Sequence, residues 1–511
     1  MMFPLRTRAE SDLAIPLVAV LLSLLAGLTA VSPESLWIDE ANSALKAMQP
    51  SLATWWQVMA TEHGSDLQMP FYMLQLWVWE KLFGHREFAL RAVNIVWFCL
   101  GQFALARVTA RAYPRVAWTV VLFGTISPIL WFYLNDARPY LMQYGAAGVL
   151  CAVLFRATVD PLSASRPAAL WTFGAGLLLL CGSSLLGVIW AAGALGAWLY
   201  LMGGRLRMNG PFRDYLPILV SFGALALLGL YYLWTILLGA GASTIGDTGI
   251  RNVAFIGYEI LGVTGLGPGR LEIREFGFSA FRDLGGYLFL LVSAAALSLG
   301  LFIYGMQAAA RHLPRRASIA ALIFALPPTF LLLAVGYTEH FRLLGRHFMP
   351  VFPVVLGLFA FAIWRLRFSH RGLAALALVA LVGVWLTSSL SLRFSDRHRK
   401  DDYRSAARIA KEALARNESV WWSADWAAAT YYEVPVTAPA QNGSVVLVVN
   451  RSRADLARLT MPDLVIASKP DIYDSRTDAL GSYLLAHRFA RGRELPAFTI
   501  WRKAADPSAV R

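Results

Sequence analysis

Charge is scarce in this chain. Only 15% of its 511 residues are Asp, Glu, Lys or Arg, whereas 57% are hydrophobic. That leaves too little polar surface for a soluble protein of this size. Cysteine is scarcer still. Cys99, Cys151 and Cys181 are the only three, far apart in sequence and each inside an apolar stretch. This argues against a disulfide framework or a metal site and for small buried thiols. Arg6 and Arg8 precede the first apolar run, but no small-residue cleavage site follows it, so a retained first helix is expected rather than a removed signal. No convincing internal repeat runs through the chain.

What the chain does have is a series of long apolar runs. Eleven membrane-spanning helices are expected, at 13–32, 88–107, 117–134, 140–155, 170–184, 185–202, 215–238, 284–304, 318–335, 348–364 and 373–390. The fifth and sixth are separated only by CGSS, so the count there can shift by one. The net charge of +14 does not point to nucleic acid, because the cations sit in short loops between apolar runs. With the N-terminus inside, Arg107, Arg111, Arg115, Arg156, Arg166, Arg205, Arg207, Arg213, Arg311, Arg315, Arg316, Arg365, Arg367 and Arg371 all fall on the cytoplasmic side, as the positive-inside rule demands. The C-terminus is then outside.

Three sizeable segments fall on the outer face. The first, 33–87, contains LATWWQVMATEH and PFYMLQLWVWEKLFG, aromatic stretches too short or interrupted to span and suited to the interface. The second, 239–283, is Gly-rich and reads as a mobile loop or lid. The third, 393–511, changes composition. A helical stretch at 403–416, strands at 444–451 and in DLVIAS, a helix near 477–488 and a last strand FTIWRK suggest a small α/β domain after the membrane domain of 1–392.

Acids and bases from distant parts of the chain collect at this outer level. Asp39 and Glu40 follow the first span; Asn135, Asp136, Arg138 and Tyr140 follow the third; Glu339, His340, Arg342, Arg346 and His347 follow the ninth. Ionisable groups at such a depth are costly unless paired or facing a polar cavity, so they mark function. Blander readings stand beside this one. A carboxylate after a membrane helix is usually a solvated loop charge, and Arg138 before Pro139 could cap a helix or snorkel to lipid phosphates. His340 and His347 lack tight metal-ligand spacing. For Asp39 and Glu40, the apolar neighbours Trp37, Ile38 and Ala41 favour an interfacial position.

In order along the chain, WIDEA (37–41), HGSDLQMPFYMLQLWVWEKLFGHREFALR (63–91), NDARPYLM (135–142) and GRHFMPVFP (345–353) resemble the signatures of the GT-C glycosyltransferases that use lipid-linked sugar donors. The likeness is to the group containing protein O-mannosyltransferases and the lipid A aminoarabinose transferases, and it covers the membrane portion. Two departures stand out. Met69 precedes Pro70 and Phe71 where relatives often carry His-Pro-Pro or Lys-Pro, and GSSL replaces a Thr-His-Tyr-like element after the fifth span.

The resemblance implies an all-α polytopic GT-C fold and transfer of a sugar from a polyprenyl phosphate to a hydroxyl of a glycolipid such as lipid A, a polysaccharide or a protein. Asp39 is then the base that takes the hydroxyl proton, and Glu40 orients it, binds the acceptor or stiffens the loop. Cations must balance the departing phosphate. With Met69 in place of a basic residue, His63, Lys81, Arg138 or Arg346 must serve, and Arg274 and Arg270 on the outer loop are further candidates. Asp136 supports the site or helps to hold a divalent cation, on which relatives differ; no other cofactor is implied. Tyr140, His347 and Glu339 are candidates for sugar or acceptor contacts. A single displacement inverts the anomeric centre. The expected setting is a bacterial plasma membrane with the active site on its periplasmic side. A flippase or transporter is the rival reading. Against it, transporters usually place their sites near the midplane, whereas here the ionisable residues gather at one face.

Overall fold

The computed structural model describes residues 13–160, 166–203, 216–241, 248–438, 443–449, 451–469 and 479–504. Arg205, Arg207 and Arg213 of the expected cytoplasmic loops lie outside these residues. Each of the eleven apolar runs is helical. Seven helices are long and apolar enough to cross a membrane: Glu87–Ala112, Tyr140–Val159, Leu216–Leu237, Tyr287–His312, Arg315–Thr338, Gly345–Ser369 and Arg371–Phe394. Ala14–Ala30, Pro167–Ser183 and Gly187–Met202 are shorter apolar helices. This is a multi-pass membrane protein. Outward-facing positions of its spans are apolar, as at Leu227, Leu230, Leu233 and Leu237 of Leu216–Leu237, because a polar side chain turned into hydrocarbon would lose its hydrogen bonds.

The expected third span is two helices. Pro114–Thr125 and Pro128–Leu134 meet at a bend of 49°. Pro128 has no N–H to continue the ladder and pushes Ser127 to an extended conformation (ψ 119°). The carbonyls freed at the break are satisfied from side chains: Trp131 Nε1 donates to Thr125 O at 2.7 Å and Ser389 Oγ to Ile126 O at 2.8 Å. The bend aims the following turn, 135–139, at the first inter-span segment.

In that segment the two aromatic stretches form the helices Leu52–Glu62 and Pro70–Phe83. They leave Trp56, Phe71, Leu74, Val78, Leu82 and Phe83 exposed, as an interfacial position requires. The Gly-rich segment expected as a mobile loop is largely helical where described, with Ile250–Ile260, Arg270–Phe276 and Gly277–Leu284. Its glycines permit close approach. A Cβ on Gly265 would stand 1.9 Å from Ser388 O, and one on Gly269 would stand 1.9 Å from Arg397 O.

The C-terminal region folds around a six-stranded sheet: β1 (Val420–Ser423), β2 (Val436–Thr437), β3 (Val445–Leu447), β4 (Leu464–Ser468), β5 (Phe489–Leu495) and β6 (Phe498–Lys503). The order is β2-β3-β1-β4-β6-β5. β2, β3, β1 and β4 are parallel, and β6 runs antiparallel to β4 and β5. The chain leaves β1 for the edge strand β2, comes back through β3 and crosses to the other side of β1 at β4, so the order reverses beside β1. In open sheets such a reversal opens a crevice at the carboxyl ends of the strands. The helix that follows β1, Trp426–Tyr431, packs on the helix Ile38–Ala47 of the membrane part. Ala41, Ala44 and Leu36 share one buried core with Tyr403, Trp422 and Ala428.

Candidate active site

The helix Ile38–Ala47 starts with Asp39 and Glu40 in its first turn and ends with Lys46 in its last, both favoured by the helix dipole. Consecutive side chains on a helix diverge by about 100°, and this separates the two acids. Glu40 turns inward and is fully buried. Arg91 grips it with two parallel bonds, Nε to Oε1 at 2.8 Å and Nη2 to Oε2 at 2.7 Å. Ala137 N donates to Oε1 at 2.8 Å, Lys400 Nζ to Oε2 at 3.0 Å, and Trp37 N to Oε2 at 3.3 Å. Burial would raise the Glu40 carboxyl, but Arg91, Lys400 and the Ala137 N–H outweigh it and hold it at about 2. Arg91 also donates to the carbonyls of Ser32, Glu34 and Ser35, fixing the entry to the helix. Glu40 is thus an anchor with its acceptor sites taken.

Asp39 turns the other way, its side chain 34% exposed, with Arg346 Nη1 3.6 Å from its Oδ2. Arg346 lies over the Tyr140 ring at 5.5 Å, and its Nε is buried without a hydrogen-bond partner. Arg138 reaches the same place from the turn after the bent span. Its Nη1 donates to Ser43 Oγ and Asp66 Oδ1, both at 2.7 Å, and to the Asp39 carbonyl at 3.4 Å. It also bonds Tyr140, and its Nε too is buried without a partner. Asp66 holds this side together, accepting from Lys46 Nζ at 2.7 Å and Ser43 Oγ at 2.7 Å as well as from Arg138. Burial pushes the Asp66 carboxyl up, and Arg138 and Lys46 together bring it below its ordinary value.

Asp136 is buried, with Lys400 Nζ 2.5 Å from Oδ1 and Oδ2 without a hydrogen-bond partner. Its donor set does not suit a bound cation. One oxygen already carries an ammonium, and among the described residues no three His, Cys, Asp or Glu converge as a metal site. A third set of contacts ties the 248–283 segment to Arg346. Gly345 N donates to Glu259 Oε2 at 2.6 Å, and Tyr133 OH and Arg270 Nη2 donate to Glu259 Oε1 at 3.0 and 3.1 Å. His347 Nδ1 accepts from Leu344 N at 3.0 Å, closing the turn that presents Arg346.

Other candidates have different partners or face outward. Lys81 pairs with Glu80 at 2.6 Å, eleven residues and so about 16 Å along its helix from Pro70. His63 is exposed in a left-handed conformation (φ 51°) at a helix end, and Glu339 is exposed at the end of its span. Arg274 is engaged with both oxygens of Asp401.

Sequence reading passed over Asp66, Arg91 and Lys400, and also Asp425. Asp425 follows the carboxyl end of β1 and caps the helix Trp426–Tyr431, accepting from Ala428 N at 2.9 Å. Burial pushes its carboxyl up to about 6 against the Ala428 and Ala427 N–H groups, and the charge of Asp39 adds to the rise. The C-terminal domain therefore brings a second carboxyl within electrostatic reach of Asp39.

The fold as a whole has counterparts among solved structures. The crystal structure of ArnT from Cupriavidus metallidurans bound to undecaprenyl phosphate matches with a TM-score of 0.54 at 14% identity, over 96% of this chain and 98% of that one. Its apo form matches equally. The fold is that of the GT-C glycosyltransferases. The arabinofuranosyltransferase AftD from Mycobacteria is more distant, with a TM-score of 0.43 at 13% identity over 99% of this chain and 41% of that one. No family model matches the sequence, and no curated protein does.

Proposed function

We propose that this protein transfers a sugar from a polyprenyl-phosphate donor to a hydroxyl acceptor. The observation that carries the reading is the pairing of Asp39, a half-open carboxylate, with the Arg346 guanidinium 3.6 Å away and with Arg138 beside them. Such a trio answers both needs of the reaction, a base for the acceptor and a cationic seat for the leaving group. Asp39 takes the hydroxyl proton as the acceptor oxygen attacks the anomeric carbon. The bond from that carbon to the phosphate oxygen breaks, and its electron pair leaves as phosphate charge beside Arg346 and Arg138. One displacement inverts the anomeric centre. The prenyl tail lies among the helices with the phosphate at headgroup level, which is why the base stands at the membrane mouth. The ArnT structure holding undecaprenyl phosphate supports a ligand of this class. The arginine-rich loops support an extracytoplasmic site in a bacterial inner membrane.

The test is the stereochemistry of the product. Purified protein in nanodiscs is given polyprenyl-phosphate sugars of known configuration with membrane lipid and glycan extract, and the product is read by NMR. Inversion is expected; retention rules out the single displacement.

A further inference from the structure

The linker into the C-terminal domain carries a lysine to which the reaction above gives no part. Lys400 lies between the last apolar helix, Arg371–Phe394, and the helix Tyr403–Leu414. Its side chain is 12% exposed. Nζ donates to Glu40 Oε2 at 3.0 Å, to Asp136 Oδ1 at 2.5 Å and to the carbonyl of Asn135. These partners belong to two separate elements, the helix that presents Asp39 and the turn that presents Arg138. The turn is further tied by Ala137 N to Glu40 Oε1 at 2.8 Å and by Arg138 N to Asp136 O at 2.7 Å. A continuous path of contacts thus runs from Lys400 through Asp136 to Arg138 and on to the Asp39 carbonyl.

The geometry points to Lys400 as a positioning residue, the strut by which the C-terminal segment sets Arg138 and Asp39 relative to each other. The inference rests on the transferase reading. Asp136 is buried with its second oxygen unpartnered, so losing Lys400 strands a carboxylate, which is costly inside a protein. The turn relieves this by moving towards water, and Arg138 moves with it. Other ties of the same linker differ in kind. Arg397 meets Glu272 at 3.3 Å with both side chains about 40% exposed, a surface pair of small consequence.

Lys400→Met, Lys400→Gln, Lys400→Met with Asp136→Asn, and Arg397→Met are compared with wild type in the full chain for melting temperature, kcat and donor KM. Misplacing a phosphate-binding cation by about 1 Å is expected to cost Lys400→Met and Lys400→Gln roughly 30- to 100-fold in kcat/KM, with a raised donor KM. Lys400→Gln keeps the fold if the methionine variant does not. Removing the stranded charge in the double variant is expected to restore about tenfold of that loss. Arg397→Met is expected to stay within about twofold of wild type. Kinetics unchanged in both Lys400 variants would overturn the proposal. So would an equal loss in Arg397→Met, or an impaired Lys400→Met that Asp136→Asn does not relieve. Wild type inactive with every donor would strike the transferase reading itself, and the inference with it.

Discussion

At the residue scale, two neighbouring carboxylates differ because a helix turns them apart. Glu40 holds four segments together through Arg91, Lys400, Ala137 N and Trp37 N. Removing it leaves buried Arg91 without its carboxylate, so Glu40→Ala is expected to destabilise the fold by about 3–5 kcal/mol, seen as a lower melting temperature in detergent. Its carboxyl is lowered from 4.5 to about 2. The stability it contributes is therefore complete above its ordinary value and is lost as pH falls towards 2. Asp425 has the opposite sign. Raised from 3.8 to about 6, it weakens the fold as pH rises through that window, because the unfolded chain gives up its proton first. Asp425→Asn keeps an N-cap acceptor and is expected to flatten this part of the stability profile, a gain on the order of 2–3 kcal/mol above pH 6. An unchanged profile would contradict the assignment. Asp39, Arg138 and Arg346 were legible in the sequence because each follows a span on the same face. Asp66, Arg91 and Lys400 were not, since their meaning comes from partners between 20 and 360 residues away.

At the element scale, apolar length made the spans readable, while their interruptions were less so. The run 117–134 carries no charge, and Pro128 is the signal of the 49° bend. The bend matters because it aims the 135–139 turn at Glu40. Pro128→Ala restores an N–H and lets the helix straighten, shifting Arg138. Transfer is expected to fall by up to about 100-fold while the circular dichroism spectrum stays helical; unaltered kcat/KM would show that the bend does not set the site. The Gly-rich segment was read as a loop because glycine usually marks one. Here Gly265 and Gly269 serve close packing against Ser388 and Arg397. In the C-terminal domain FTIWRK was found as a strand, but β1, VWWS, was missed. It is only four residues, and all of them are buried, so it has no alternation to read.

At the scale of the whole molecule, membrane and C-terminal parts share one core and one site, since Lys400 reaches it from the tail. We infer that this face is extracytoplasmic, because the arginine-rich loops occupy the other. Arg408 and Arg367 are both exposed and mark the two sides. In intact cells an impermeant maleimide is expected to label Arg408→Cys and not Arg367→Cys; the reverse pattern would overturn the orientation. The central claim concerns Asp39, and sugar transfer by purified protein tests it most directly. Wild type and Asp39→Asn are compared on a panel of radiolabelled polyprenyl-phosphate sugars with membrane lipid and glycan extract. Wild type is expected to transfer from one donor, and the variant to fold normally but lose at least about 100-fold in rate. Undiminished transfer by the variant, or tight lipid-phosphate binding by wild type with no transfer from any donor, would contradict it.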